Sequence, residues 1–342
     1  MRRIFHLITG ICLFFPVYLF SQDGRQEFRV MFYNVENLFD TEDDPRTNDN
    51  EFLPESGRHW TPYRYYTHLR QTAQVISAAG EWGTPALVGL CEVENDSVLI
   101  HLLSRTPLKE QRYRFCKTDG NDARGINNAL LYQRDKFKYI GHRSERIPFT
   151  RRTQRSRDIL HVWGEVITGD TLDVFVCHFP SRSGGQKESE RGRLDAAAFL
   201  RKKCDSLYLV RTKTNILVMG DFNDMPNDKS IRIITEASNP NRKLINLFAD
   251  PHSLNFEGSY KYQSEWGQLD QMMISPHWKS FLKKGSAQIF IAPFMLIEEK
   301  GKQHGKRPRR IYMGYKYEGG YSDHLPIMAD FLLDVPKRIV KK

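Results

Sequence analysis

Chemically capable side chains stand at the carboxyl ends of successive apolar runs in this sequence. The run ALVGLCE (86–92) ends on Glu92, for example, and LDVFVCH (172–178) ends on His178. Each such side chain costs desolvation free energy at a strand end unless it is paired, so a structural protein has no reason to repeat the arrangement. If the strands lie side by side, these groups converge on one site. The residues in such positions are Asn34, Glu36, Glu92, His178, Asp221, Asn223, Asp270, Asp323 and His324.

Together these residues suit a site for phosphate and a divalent metal. Taken singly, Asn223 fits a turn and His178 a structural histidine. A hard Mg²⁺ or Mn²⁺ prefers carboxylate oxygens and keeps several waters, so one or two carboxylates suffice. A carboxylate can then activate water for in-line attack while a histidine stabilises the departing oxygen. The cysteines form no CxxC or Cys/His cluster, which disfavours zinc.

The apolar runs predict the strands that position these residues. Strands are expected at 29–34, 86–92, 128–132, 172–178 and 216–221, and helices at 65–79 and 191–210, where apolar residues recur at helical spacing. Further strand-like segments lack intervening helices, which favours an α/β sandwich with helices covering each sheet on one side. No linker or repeat divides the chain, so we expect one domain over 23–342. The further segments are 161–167, 268–275, 286–291 and 326–332.

The composition is that of a globular protein. The 342 residues are 40% hydrophobic and include 51 Lys+Arg against 41 Asp+Glu, a net charge of +10. This excludes collagen, coiled coils and wholesale disorder. Positive charge is concentrated in the segments 143–157 and 300–310, which suggests phosphate-bearing partners, although a charge run alone is usually a solvated loop.

The N-terminus predicts a secretory signal peptide over residues 1–22. Arg2 and Arg3 precede an apolar run over 4–20, which is short for a membrane span. We therefore expect a periplasmic or secreted monomer without a membrane span after cleavage. The remaining cysteines are too few for a disulfide scaffold, and Cys91 and Cys177 read as small buried hydrophobes.

Six segments occur in the order seen in the endonuclease/exonuclease/phosphatase superfamily, and the chain resembles a secreted, deoxyribonuclease-I-like member over 28–333. The resemblance implies a four-layered α/β sandwich, in which two mixed sheets pack face to face with helices outside. It places the site at one edge of that sandwich. The segments are NVENLF (34–39), LCEVEN (90–95), CHFPSR (177–182), GDFND (220–224), GQLDQMMIS (267–275) and YSDHLPI (321–327).

The resemblance also implies a Mg²⁺ or Mn²⁺ cofactor and the residues that hold it. Glu92 resembles the principal metal ligand, with Glu36 and Asp323 as additional or water-mediated contacts. Asn34 and Asn223 resemble the amides that hold phosphate oxygens.

The same resemblance implies the residues that move protons. His178 and His324 resemble the histidines that flank the phosphate. Asp270 resembles the carboxylate that orients and charges His324, and Asp221 the one that positions or deprotonates the attacking water.

Further residues are candidates for substrate contact. Arg124 in ARGINNALLY and Arg182 in CHFPSR are candidates, since a guanidinium group matches paired phosphate oxygens. For both arginines, a position on a surface loop is an equally ordinary interpretation. Asn128, also in ARGINNALLY, is a further candidate. Tyr260, Tyr262 and Trp266 suit a substrate groove, although core packing is the more ordinary fate of aromatic residues.

We therefore interpret the chain as a divalent-metal-dependent phosphoester hydrolase that favours phosphodiesters, with nucleic acid as one candidate substrate. The alternatives are a sphingomyelinase-like enzyme for phospholipids or small phosphoesters, and a non-catalytic member of the fold that binds a phosphate ligand.

Overall fold

The structure is a computed structural model that describes residues 24–81, 83–250, 253–299 and 304–336. The predicted signal peptide lies outside these residues, as does part of the basic segment 300–310. Within the described part of the chain, no helix combines the length and the apolar character that crossing a membrane requires.

Two six-stranded mixed sheets form the centre of the molecule. The strands of sheet 1 are β1 (Arg25–Leu38), β2 (Leu87–Val93), β3 (Arg114–Lys117), β4 (Asn127–Tyr132), β13 (Gln288–Ile289) and β18 (Ile327–Asp334). Those of sheet 2 are β5 (Phe137–Glu145), β6 (Ile159–Val166), β7 (Thr171–His178), β8 (Asn215–Asp221), β9 (Ile245–Asn246) and β12 (Asp270–Ile274). The strand order is β13-β18-β1-β2-β4-β3 in sheet 1 and β5-β6-β7-β8-β12-β9 in sheet 2.

Three short hairpins and four α-helices are the other main elements of the described residues. The hairpins are β10 (Tyr260–Tyr262) with β11 (Glu265–Gly267), β14 (Leu296–Glu298) with β15 (Lys306–Pro308), and β16 (Tyr312–Met313) with β17 (Lys316–Tyr317). The helices are α1 (Pro62–Gly80), α2 (Asp96–Ser104), α3 (Gln186–Val210) and α4 (Lys229–Thr235).

The two sheets pack face to face with helices outside, which confirms the predicted four-layered sandwich. Along β8, Leu217 and Met219 point into the core between the sheets, whereas Ile216 and Val218 join the cluster under α3. Both faces of the strand are therefore apolar, as in sheets covered on both sides. The sheets approach so closely that a Cβ on Gly89 of β2 would lie 2.9 Å from Met219 Cε.

Local sequence explains where α1 begins. The Thr61 side chain caps α1 by accepting a hydrogen bond from the Arg64 amide. Pro62 occupies the first helical position, where the missing N–H group of proline costs no hydrogen bond. The helices α1 and α3 contain the two predicted helices, whereas α2 and α4 are short helices that the sequence did not predict. Cys91, Cys116, Cys177 and Cys204 are buried and unbridged, in agreement with the expectation of no disulfide scaffold.

A buried ion cluster fastens α3 to the outer face of sheet 2, away from the polar strand ends. Asp173 is fully buried and accepts hydrogen bonds from His161 Nε2 at 2.9 Å and from Arg211 Nε and Nη2 at 2.8 Å each. Burial alone would raise the pKa of Asp173, but these hydrogen bonds outweigh it and hold the pKa below its ordinary value.

Asp173→Asn is expected to lower the free energy of unfolding by about 3 kcal/mol, because it removes the charge that Arg211 and His161 are arranged around. The folded-state pKa of Asp173 lies below its unfolded value. Its stabilisation is therefore present above the unfolded pKa and disappears as the pH falls through the folded one. Urea unfolding should show a difference at pH 7 that shrinks in acid. Lys213→Ala, which removes an exposed partner of Asp170, should cost less than about 1 kcal/mol. Equal losses in the two variants would contradict this assignment.

Candidate active site

Strand direction brings the polar strand ends to one edge of the sandwich. In sheet 1, β1 and β2 run parallel, so Asn34 and Glu92 lie at the same edge. In sheet 2, β7 and β8 are parallel and pair His178 with Asp221, while antiparallel β12 starts with Asp270 opposite Asp221. The sequence motifs are thus adjacent because the strands that end on them are neighbours.

These strand ends border a cleft of about 880 Å³. Of the twelve residues predicted for the site, nine line it and Asp270 lies directly behind it. Glu36 and Asn128 are not among the lining residues. The nine are Asn34, Glu92, Arg124, His178, Arg182, Asp221, Asn223, Asp323 and His324.

The backbone around the cleft is strained. Glu36, Asn37, Glu92 and Asn223 all have φ between 50° and 63°, in the left-handed region that favours glycine. Glu92 also lies where the register between β2 and β4 shifts, so it is turned out of the ladder at this point. Such strain costs about 1–3 kcal/mol per residue and clusters at functional sites.

Asp221 is the central carboxylate of the cleft. Its Oδ2 accepts from Asn34 Nδ2 at 3.1 Å, and its Oδ1 accepts from the Asn223 amide at 2.9 Å. His178 Nε2 and His324 Nε2 lie 3.6 and 3.7 Å from the same Oδ2. Burial raises the pKa of Asp221 to about 7, against the opposing effect of His324. Only glycine fits before it, because a Cβ on Gly220 would lie 2.3 Å from the Cys177 carbonyl oxygen.

His324 is held as an imidazolium by two carboxylates. Its Nδ1 lies 2.8 Å from Asp270 Oδ2, which also accepts a short hydrogen bond from Ser259 Oγ. Burial opposes protonation, but Asp270 and Asp221 outweigh it and raise the pKa of His324 to about 10. Asp270 therefore lies in contact with His324, and its role in orienting and charging that histidine stays a prediction.

The surroundings of His178 favour its neutral form instead. It is 4% exposed, and burial together with Arg157, Arg124 and His324 places its pKa well below the ordinary value. A neutral and a cationic histidine thus stand on two sides of Asp221. One site contains groups suited to accept and to donate a proton.

The donor set of the cleft fits a hard divalent cation. Glu92 Oε2 accepts from the Asn37 amide at 2.9 Å, while Oε1 lies 3.6 Å from Arg124 Nη2 and 3.9 Å from His178 Nε2, beyond hydrogen-bond distance. This carboxylate oxygen remains available to a metal. Asp221, Asp270 and His324 also lie close enough to share an ion. Asp270 Oδ2 and His324 Nδ1 already bind each other, and Mg²⁺ prefers oxygen, so Glu92 is the better ligand.

Three predicted residues have internal roles in the structure. Glu36 Oε2 accepts from the Ile311 amide at 2.9 Å, and Glu36 lines a separate cavity of about 150 Å³. Asn128 is fully buried and donates to the Asp158 carbonyl at 2.8 Å. Arg182 lines the cleft, but its Nε donates to the Asn223 carbonyl and its Nη2 to Asp228. The Arg182 guanidinium thus holds the turn at Asn223, and its contact with substrate stays a prediction.

Supporting residues were missed by sequence reasoning. Ser322 Oγ donates to the Asn34 carbonyl at 2.7 Å and accepts from the His324 amide, joining β1 to the last motif. Arg157 Nη2 donates to the Phe179 carbonyl at 2.7 Å, beside His178. Ser322 lies inside the motif YSDHLPI and could have been found there. Ser259 and Arg157 carry no local signal, because their partners are distant in sequence.

Comparisons with known proteins agree with this architecture. A family model described as the Endonuclease/Exonuclease/phosphatase family matches residues 29–332. No curated protein sequence matches the chain. An endonuclease/exonuclease/phosphatase family protein from Bacteroides thetaiotaomicron is similar in structure, with a TM-score of 0.57, 16% identity and coverage of 91% of this chain and 100% of that one.

Two further solved structures share the fold. The mannosyl-6-phosphatase Bt3783 of Bacteroides thetaiotaomicron has a TM-score of 0.55 and 16% identity, covering 89% of this chain and 99% of its own. The human Nocturnin catalytic domain with bound sulfate has a TM-score of 0.55 and 18% identity, and the match covers 90% of this chain and 97% of that one. At these identities the likeness shows the fold.

Proposed function

The chain belongs to the endonuclease/exonuclease/phosphatase family, and from that membership we propose that it is a divalent-metal-dependent phosphodiesterase. One observation carries the proposal. Asn34, Glu92, His178, Asp221 and His324, which are far apart in the sequence, border a single cleft, with both histidines within 3.7 Å of Asp221 Oδ2.

Asp221 is the group that positions and deprotonates the attacking water. Its Oδ2 lies at the centre of three polar atoms, from Asn34, His178 and His324, within 3.7 Å. A base with a pKa near 7 combines an ionised population with useful basicity at neutral pH. His324, charged by Asp270, borders the same cleft with its Nε2 3.7 Å from Asp221 Oδ2, and it stabilises the departing oxygen.

Mg²⁺ or Mn²⁺, held by Glu92 with Asp323 nearby, would neutralise charge on the phosphoryl oxygens. The remaining cationic groups of the cleft favour a diester. Among the described lining residues, Arg124 is 42% exposed at its side chain, whereas Arg182 is bound to Asn223 and Asp228. A diester carries one negative charge and a monoester nearly two at neutral pH, so a cleft with few available cations suits the diester.

The test is a panel of hydrolysis assays with the protein from residue 23 to residue 342. Plasmid DNA, RNA, a chromogenic phosphodiester, a phosphomonoester and sphingomyelin are compared with Mg²⁺, with Mn²⁺ and with EDTA. We expect metal-dependent cleavage of a diester that EDTA abolishes. Faster cleavage of the monoester would replace the diester assignment, and no cleavage of any substrate would favour the non-catalytic alternative.

We also propose that the enzyme acts as a monomer in the periplasm or outside the cell. The basic and apolar pattern of residues 1–20 supports export. N-terminal sequencing of the protein recovered from an expressing cell tests this proposal, because export predicts a start near residue 23. Light scattering of the same sample tests the monomer.

A further inference from the structure

The hairpin β10–β11 places an exposed aromatic ring at the mouth of the cleft. The Tyr260 ring lies 4.7 Å from the ring of His324, and the two residues form a β-bridge. Because side chains alternate along a strand, Tyr262 projects from the same face as Tyr260, about 7 Å further along. Tyr262 also lines the cleft and is 66% exposed. An organic group that extends from a phosphoester at His324 along this hairpin would meet Tyr262.

The opposite face of the hairpin is fixed by a buried ion pair. Lys261 Nζ lies 2.6 Å from Glu299 Oε2 and donates to the carbonyls of His304 and Lys306 at 3.0 Å each. Both charged side chains are less than 5% exposed. The base of the hairpin is tied to the active site by the Leu325 amide, which donates to the Ser259 carbonyl at 2.7 Å. The backbone that carries Tyr262 is thus preorganised, so ordering of the hairpin adds little to the entropy cost of binding.

A carboxylate stands beside this ring. Glu265 is the register partner of Tyr262 in the hairpin, so their side chains share the cleft face, and Glu265 is exposed and also lines the cleft. An aromatic face packs against the C–H face of a saturated ring, and a carboxylate accepts hydrogen bonds from hydroxyl groups. The same negative charge disfavours a further phosphate at this position. The pair therefore suits an uncharged, hydroxylated ring and does not suit a continuing polyanionic strand.

We propose that Tyr262 and Glu265 form a subsite for a sugar ring attached to the phosphate of the substrate. This proposal rests on the proposed function, since the phosphate is placed by the catalytic groups. The sugar belongs either to a sugar phosphate or to a nucleotide, which share the recognised ring.

The test is calorimetric binding by the Mn²⁺-loaded chain, which needs no turnover. The probes are glucose 6-phosphate, adenosine 5′-monophosphate, propyl phosphate and inorganic phosphate. Tyr262→Ala should weaken binding of the two ring-bearing probes by about fivefold or more. Binding of propyl phosphate and inorganic phosphate should change less than about twofold. Tyr262→Phe should retain the ring preference. The control Tyr63→Ala removes a 74% exposed tyrosine at the start of α1 and should change nothing.

Glu265→Gln should weaken glucose 6-phosphate about threefold and leave inorganic phosphate unchanged. A loss for both ring-bearing probes supports the subsite, and a loss for glucose 6-phosphate alone would support it and identify a sugar phosphate. A loss for adenosine 5′-monophosphate alone would show that Tyr262 stacks on the adenine base, which would overturn the sugar subsite. Equal affinities of Tyr262→Ala and the wild type for all probes would overturn it. Ring-selective binding without hydrolysis of any substrate would contradict only the proposed activity, whereas hydrolysis without ring selectivity would contradict only the subsite.

Discussion

Asp221→Asn is expected to lower kcat by about 10³-fold while leaving the fold intact, because it removes the base that deprotonates the attacking water. The amide matches the carboxylate in shape, and its single oxygen can still accept from the Asn223 amide, whereas its NH2 group replaces the oxygen that accepts from Asn34 Nδ2. The measurement is kcat for the best diester of the hydrolysis panel, at saturating metal.

The stability of this variant provides an independent readout. Burial raises the pKa of Asp221 to about 7, so the folded state bears a desolvation cost for its charge. The neutral amide lacks that cost, which offsets the hydrogen bond lost from Asn34, so the variant should unfold within a few degrees of the wild type. Asp119→Asn, at a carboxylate 86% exposed, is the matched control for both measurements. A kcat within tenfold of the wild type would remove Asp221 from the proposed role.

Glu92→Gln is expected to lower metal-dependent turnover at least about a hundredfold, because the carboxylate oxygen available to the cation is lost. Mn²⁺ affinity, measured by calorimetry without substrate, should fall about tenfold or more. The loss should be partly reversed by raising the metal concentration. Glu298→Gln, at a side chain 69% exposed, is the control.

The same titration decides between the two possible metal positions. If Glu92 is the principal ligand, Asp270→Asn should keep the Mn²⁺ affinity within about threefold while impairing turnover through His324. If the ion binds among Asp221, Asp270 and His324 instead, Asp270→Asn should lose affinity and Glu92→Gln should keep it. That second pattern would refute our assignment.

The layers of the sandwich and the sheet edge that carries the site could be predicted, because both follow from local sequence patterns. A continuous apolar run such as 216–221 is long enough to identify a buried strand, and the polar residue that ends it identifies the edge. The short helix α2 was missed because it starts directly after the motif LCEVEN, with Asn95 as its cap. Its nine residues carry too little periodicity to be separated from a loop.

Side-chain direction was the part that could not be predicted. Glu36 and Asn128 lie in or beside motif segments, but a left-handed backbone at Glu36 and the strand position of Asn128 direct them to the Ile311 amide and the Asp158 carbonyl. Arg182 finds its partner Asp228 across a separation of 46 residues. Such pairings depend on the tertiary fold, which a local pattern of residue types does not specify.

The buried thiols give the protein a set of internal reporters. Cys91 and Cys116 lie in sheet 1, Cys177 in sheet 2 and Cys204 in α3, and all four are unbridged. Burial raises the pKa of each thiol, to about 12 for Cys116 and Cys204. We therefore expect none of them to react with an alkylating reagent while the layer that contains it stays packed against its neighbours. The order in which the four become labelled would therefore record the order in which the layers of the sandwich separate, without any engineered probe.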